Sequence, residues 1–203
     1  VRKNERTGTK YTMSKNLIVL SAPSGTGKTT ICKELLKRNK NWKFSVSATT
    51  RPPRENEIDG KDYIFMSNQK FDHMAKFGDF LEWEWVHGNK YGTLASQLED
   101  VIDDNEVMLL DIDVKGGFSI MEEYPDNTFS IFIEPPGFDI PEKKLVLEER
   151  LLKRGNEQTT QIKNRLKRFE KEMEFIDRFN NSFVNDDLKE AIIAVENAIK
   201  ENI

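Results

Sequence analysis

A chain of 203 residues that is 37% hydrophobic and 33% charged can bury one core, carry small inserts and remain well hydrated. Its net charge of −4 argues against a general nucleic-acid binder, which is usually basic, but leaves room for a local positive pocket that takes phosphorylated small molecules. No apolar run approaches the roughly 20 residues needed to cross a bilayer, so no membrane partner is expected. The single cysteine, Cys32, excludes an internal disulfide and fits a reducing, cytoplasmic setting, as a small core residue on a helix.

In chain order, VRKNERTGTKYT precedes Met13 and lacks the apolar stretch of a secretory signal. Residues 1–15 are therefore expected to form a disordered leader, with Met13 a plausible start. Asn16 to Ser21 (NLIVLS) is a short apolar run that ends at a Pro/Gly-rich turn, the pattern of a buried parallel strand. A helix follows from Gly27 to Arg38, with Ile31, Leu35 and Leu36 on its inner face. Residues 107–112 (VMLLDI) and 128–133 (TFSIFI) predict two more core strands, and Val114 to Glu123 predicts a helix between them. This alternation specifies an α/β doubly wound sheet with a parallel core.

Two stretches break the rhythm. Residues 47–92 hold many Arg, Pro, Gly, Trp and Tyr, with short alternating runs at 62–66 (DYIFM) and 80–85 (FLEWEW), and predict a small, mostly β insert. His73 is expected on a helix surface there and His87 in a turn. Residues 141–180 are highly charged and helical around a break at Gly155, which predicts a helix–turn–helix flap. The segments 16–46, 93–140 and 181–203 remain as the core, closed by an amphipathic helix over 189–203.

The first chemical motif is APSGTGKT, Ala22 to Thr29, between the first strand and the first helix. It fits the P-loop pattern except that Ala22 stands where the first glycine is usual. Gly25 and Gly27 let backbone N–H groups turn toward phosphate oxygens, and the helix N-terminus adds a favourable partial charge. Ser24, Gly25, Thr26, Gly27, Lys28, Thr29 and Thr30 thus form the candidate ATP-phosphate cradle. Lys28 can reach the β- and γ-phosphates, and the Thr29 hydroxyl can ligate Mg²⁺. A P-loop does not name the acceptor. Downstream, SVSATTRPPR sets Arg51 and Arg54 three apart in a proline-stiffened segment, able to grip one phosphate through charge-assisted forks.

The series APSGTGKT, SVSATTRPPR, GKDYIF, FLEW, NKYGT and LLDID, in this order, resembles the guanylate kinase family from about Leu17 to the C-terminus. The resemblance implies a P-loop NTPase-type sheet with a GMP-binding insert and a helical lid. It implies an enzyme that uses ATP and Mg²⁺ to phosphorylate GMP, and dGMP, as a monomer or homodimer. Arg51, Arg54, Tyr63 and Tyr91 look like ligands of the GMP phosphate, and Ser47, Glu82 and Thr93 like readers of guanine. Asp111 and Asp113 stand where the family keeps acids near the acceptor ribose and the Mg²⁺–phosphate centre. Metal ligation would thus fall to Thr29, Asp111 and Asp113, with Asp113 also near GMP. Arg150, Arg154 and Arg165 look like lid arginines that join Lys28 and Arg51 in catalysis, the first two also touching ATP. Asn185 and Asp186 resemble the stretch beside the adenine.

The chemistry of Glu82 supports that assignment independently. Guanine presents two donors, N1–H and the exocyclic amine, and a carboxylate accepts from both; adenine would leave it unpaired. Glu84 lies on the same strand face and is a rival that only the family's F-x-E-W spacing excludes. Lys153, Lys163, Lys167 and Arg168 crowd the lid region, where most of a charge run is solvated surface. The turn at 134–141 (EPPGFDIP) is longer than the family's usual turn and is expected to alter entry to the lid. Rival readings are a catalytically silent scaffold module, opposed by the intact P-loop, and a kinase for AMP or a pyrimidine monophosphate, opposed by Glu82.

Overall fold

The computed structural model describes residues 15–86, 88–153 and 159–203. The expected leader, apart from Lys15, falls outside the described residues, as do His87, Arg154 and Gly155. The main sheet has five parallel strands in the order β2 (Lys43–Phe44), β7 (Met108–Asp111), β1 (Leu17–Ser21), β8 (Thr128–Glu134) and β9 (Asn181–Val184). A second, mixed sheet has four strands in the order β4 (Ile64–Phe65), β3 (Ala48–Thr49), β6 (Asn89–Leu94) and β5 (Phe80–Val86). The described helices are α1 (Lys28–Arg38), α2 (Asn68–Phe77), α3 (Ala95–Asp103), α4 (Val114–Glu123), α5 (Ile140–Lys153), α6 (Thr159–Met173) and α7 (Leu188–Lys200), with a 3₁₀ turn at Ile176–Arg178.

Every residue of β1 is fully buried because helices cover both sheet faces. Side chains alternate across a strand, so Leu17 and Val19 join α3, α4, α5 and α6 on one side while Ile18 and Leu20 join α1 and α7 on the other. That is why the strand reads as an unbroken apolar run. On α1, Ile31, Cys32 and Leu35 are buried and Leu36 packs partly against the same cluster. The strands expected at 16–21, 107–112 and 128–133 are β1, β7 and β8, and the helix expected at 114–123 is α4. The fold is therefore the α/β P-loop NTPase type with a parallel core.

The second sheet carries its own small core, in which Phe71 of α2 stacks on Phe80 at 4.3 Å beside Ala48. His73 lies exposed on α2, against Phe77. The alternating run at 62–66 yields only a two-residue strand. Asp62 Oδ2 instead accepts from Ile58 N and Asp59 Oδ1 from Phe65 N, so carboxylates capture the backbone in a turn.

Entry to α5 is fixed by the long turn. Gly137 has φ 139°, and a Cβ there would lie 2.7 Å from Lys143 N, so only glycine fits. Asp139 Oδ1 accepts from Glu142 N while Glu142 Oε2 accepts from Phe138 N, a reciprocal cap at the helix start. The inward-facing pair Lys143–Glu134, at 2.5 Å, ties the first turn of α5 to the end of β8.

Two substitutions separate core packing from capping. Leu109→Ala, at a fully buried β7 position, should lower unfolding stability by about 2–5 kcal/mol. Asp187→Ala removes the side chain that accepts from Lys189 N and Glu190 N at the start of α7, and should lower it by about 1 kcal/mol. Urea denaturation with unchanged slope measures both.

Candidate active site

The cradle residues follow directly from β1. Gly27, with φ 96°, opens α1, and Thr30 N and Ile31 N both donate to its carbonyl. A Cβ on residue 27 would lie 2.5 Å from Asn185 Nδ2, which itself donates to the Thr26 carbonyl at 2.6 Å. Glycine is thus required both by the backbone angle and by the close approach of Asn185. The first turn of α1 contains no acidic residue, so its N-terminal N–H groups keep their affinity for anions. Lys28 Nζ pairs with Asp111 Oδ1 at 2.6 Å and donates to the Ile112 carbonyl at 2.6 Å. Thr29 Oγ1 donates to Asp111 Oδ2 at 2.8 Å. One carboxylate at the end of β7 therefore holds both the lysine and the hydroxyl of the P-loop.

A cleft of about 310 Å³ opens beside the loop. Gly25, Thr26, Gly27 and Thr30 line one side, and Arg150, Asn185 and Asp186 the other. Arg150 Nη2 donates to the Asn185 carbonyl at 2.9 Å, which joins α5 to the end of β9. The expected ATP-contacting residues within the described chain, except Ser24, Lys28 and Thr29 on the phosphate side, thus share this cleft.

The second sheet gathers the expected acceptor residues. Arg51 Nε donates to Tyr91 Oη at 3.2 Å, Nη1 to the Pro52 carbonyl at 2.8 Å and Nη2 to Glu57 Oε1 at 2.7 Å. Its guanidinium also lies 5.2 Å from the centre of the Tyr63 ring, which meets Tyr91 edge-on at 5.8 Å. Glu57 Oε2 accepts from Arg54 N, so one carboxylate orders both ends of the arginine segment. These two bonds hold its carboxyl below the usual glutamate range. The Arg54 side chain is exposed. Ser47 stands where its carbonyl accepts from Ile64 N, next to the β3–β4 pairing.

Glu82 and Glu84 have distinct surroundings. An irregularity between Phe80 and Glu82 sets Glu82 opposite Thr93 and Glu84 opposite Tyr91. Thr93 Oγ1 donates to Glu82 Oε1 at 2.7 Å, and the Glu82 carboxyl carbon lies 3.4 Å from where a Cβ on Gly116 would stand. Burial, more than the neighbouring acids Asp113 and Glu84, pushes the Glu82 carboxyl above its usual range, while the Thr93 bond opposes this. Glu84 instead takes Lys115 Nζ at 2.6 Å, an exposed ammonium on α4. The desolvated, hydroxyl-anchored carboxylate is therefore Glu82.

Asp113 Oδ1 accepts from Gly116 N and caps α4. Its Oδ2 receives Arg168 Nη2 at 3.3 Å, whereas Asp111 serves Lys28 and Thr29, so the two acids take different partners. Among the described residues, no three His, Cys, Asp or Glu side chains converge into a metal cluster. Arg165 Nη1 donates to Ser24 Oγ at 2.5 Å, which brings α6 onto the P-loop. Arg154 falls outside the described residues. Arg168, grouped with solvated charge from sequence, instead reaches Asp113. The signal available was its spacing, since three residues beyond Arg165 it shares that helix face. Glu57 has no partner assigned from sequence, and here it takes Arg51 Nη2 and Arg54 N.

The guanylate kinase family profile matches residues 14–202. A guanylate kinase of Clostridium tetani is 43% identical over 90% of this chain and 84% of its own length. One from Thermotoga maritima is 43% identical over 93% and 87%. The crystal structure of guanylate kinase from Anaplasma phagocytophilum superposes with a TM-score of 0.71 at 32% identity, covering 94% of this chain and 87% of that one. Phosphate cradle, arginine-bearing β sheet and hydroxyl-anchored glutamate thus occur together in a chain that belongs to the guanylate kinase family.

Proposed function

We infer that the chain is an ATP:GMP phosphotransferase, which moves the γ-phosphoryl group of ATP onto GMP to give ADP and GDP. The observation that carries this reading is Glu82, a desolvated carboxylate anchored by the Thr93 hydroxyl at 2.7 Å beside the first turn of α4. Guanine N1–H and its amine can both donate to such a group, whereas adenine cannot, and a buried acceptor left unpaired penalises the wrong base. dGMP, which differs only at the ribose 2′ position, is expected to serve as an acceptor too.

Residues 47–92 act in this reading as the acceptor unit and residues 141–180 as the lid. Arg51, held by Glu57 and Tyr91, and Arg54 grip the GMP phosphate together with Tyr63 and Tyr91. With a second pKa of about 6, that phosphate is largely dianionic at neutral pH and needs no general base. Its oxygen attacks the γ-phosphorus in line, the bond to the β–γ bridging oxygen breaks, and ADP leaves with that electron pair. Lys28 turns from Asp111 toward the transferring phosphates, and Arg150, Arg154 and Arg165 balance the charge spread over the equatorial oxygens. Closure of both units around the substrates excludes water, which would otherwise accept the phosphoryl group.

The Thr29 hydroxyl and the Asp111 carboxylate are hard oxygen donors 2.8 Å apart beside the phosphate cradle, a donor set that fits Mg²⁺. Thr29 would hold the ion with Asp111, and Asp113 stands on the acceptor side of the same strand end. Bound with ATP, the ion supplies positive charge against the β- and γ-phosphates.

A coupled assay of ATP consumption with GMP, dGMP, AMP and UMP tests the reading directly, and turnover with AMP or UMP in preference to GMP would overturn it. Lys28→Ala should lower kcat by about a hundredfold or more, as expected for removal of one transition-state donor, with the circular dichroism spectrum unchanged. Glu82→Gln should lower the GMP/AMP ratio of kcat/KM by about tenfold or more, within the ~1–3 kcal/mol that a bidentate base contact carries.

The same variant has a pH signature. Because the folded pKa of Glu82 is raised, its stabilising contribution is present below the unfolded-state value and is lost as pH rises through the folded one. Glu82→Gln should therefore melt at or above the wild-type temperature at neutral pH. That advantage should vanish on acidification below the ordinary glutamate range.

A further inference from the structure

We propose that Arg168 is a positioning residue that couples closure of the α5–α6 unit to occupancy of the acceptor site, through its pair with Asp113. The proposal rests on the reading of 141–180 as a lid and of Asp113 as an acceptor-side residue. Residues three apart on a helix lie on one face, so α6 directs Arg165 to Ser24 of the P-loop and Arg168 to Asp113 at the start of α4. One helix thereby touches both the donor side and the acceptor side of the cleft.

The partners of Asp113 make this contact informative. Its Oδ1 is fixed by Gly116 N at 2.9 Å, so Oδ2 is the oxygen that Arg168 can orient, at 3.3 Å. Glu172, one turn along α6 and largely buried, lies 3.5 Å from Arg168 Nε and steers the guanidinium from behind. The carboxyl of Glu172 is raised by burial and by Asp113, with Arg168 and Lys28 opposing, so it belongs to the same electrostatic neighbourhood as the P-loop lysine.

Between α4 and α6 lies a gap of about 200 Å³ floored by Val114, Phe118 and Phe175. The Arg168 side chain, 63% exposed, spans from one helix to the other beside this gap rather than within a packed joint. A charge pair across an unfilled gap strengthens as the helices approach and weakens as they part. ATP that engages Arg165 beside Ser24 holds α6 against the P-loop, and with it the Arg168–Asp113 pair that sets the carboxylate for the acceptor; by linkage, the acceptor then favours ATP equally.

The test is the GMP dissociation constant, measured by calorimetry on the full chain with and without a non-hydrolysable ATP analogue. The ratio of the two constants is the coupling. Arg168→Ala should reduce that ratio about two- to fivefold, the range set by partly exposed ion pairs, without changing the melting temperature by more than a degree or two. Arg168→Lys, which keeps the charge, should restore most of it. Asp113→Asn alone should also reduce the ratio, and Arg168→Ala added to it should reduce the ratio no further. An unchanged ratio in Arg168→Ala, or fully additive losses in the double variant, overturns the proposal. Failure of the underlying reading is distinct: it would appear in the wild type, as GMP binding that does not respond to the ATP analogue at all.

Discussion

The burial of β1 on both faces is the constraint on which the rest of the structure depends. A strand covered on each side must be apolar at every position, and its parallel neighbours β7 and β8 must run in register with it. Leu20 pairs with Asp111 and Ser21 with Phe132, so the strands end together at one edge of the sheet. Chain leaving that edge carries polar groups that the core cannot hold. The P-loop leaves β1 there, Asp111 and Asp113 follow β7, and Asn185 follows β9. Ligands of open α/β sheets bind at this edge for the same reason.

Three cations at the site are paired before any ligand arrives. Lys28 rests on Asp111, Arg51 on Glu57 and Arg168 on Asp113, so a carboxylate holds each of these three in the free protein. Such pairing fixes side-chain geometry and leaves less ordering to be done on binding. It also means that a ligand phosphate competes with, or joins, an existing partner. Glu82 follows a different rule. It is held by a hydroxyl, and burial raises its carboxyl above the usual range. A group in that condition is unfavourable for folding and favourable for recognising a base that brings two donors, the usual tension between stability and a binding site.

Parts of the fold were legible because their sequence signal is long or chemically unambiguous. Residues 107–112 and 128–133 are continuous apolar runs, and Val114 to Glu123 begins behind Asp113, which caps it. The strands β2 and β3 were not legible, since two residues cannot display a period. The run at 62–66 read as a strand, and its second half joins the sheet, Ile64 N donating to the Ser47 carbonyl and Met66 N to the Thr49 carbonyl. Asp62 instead accepts from Ile58 N, so the first half belongs to a turn.

By itself, then, the sequence determined the parallel core, the phosphate cradle, the arginine segment and the family, because each is written in contiguous residues. Only the tertiary structure decided which of two glutamates on one strand face is anchored. An irregularity at Leu81 and the approach of α4 give Glu82 to Thr93 and Glu84 to Lys115. It decided, too, that Arg168 differs from the charged residues around it, since its partner lies 55 positions away on another element. Spacing along the chain reports which side chains share a face. Which of them meets a partner depends on the element packed opposite, and that is set by the folding of the whole chain.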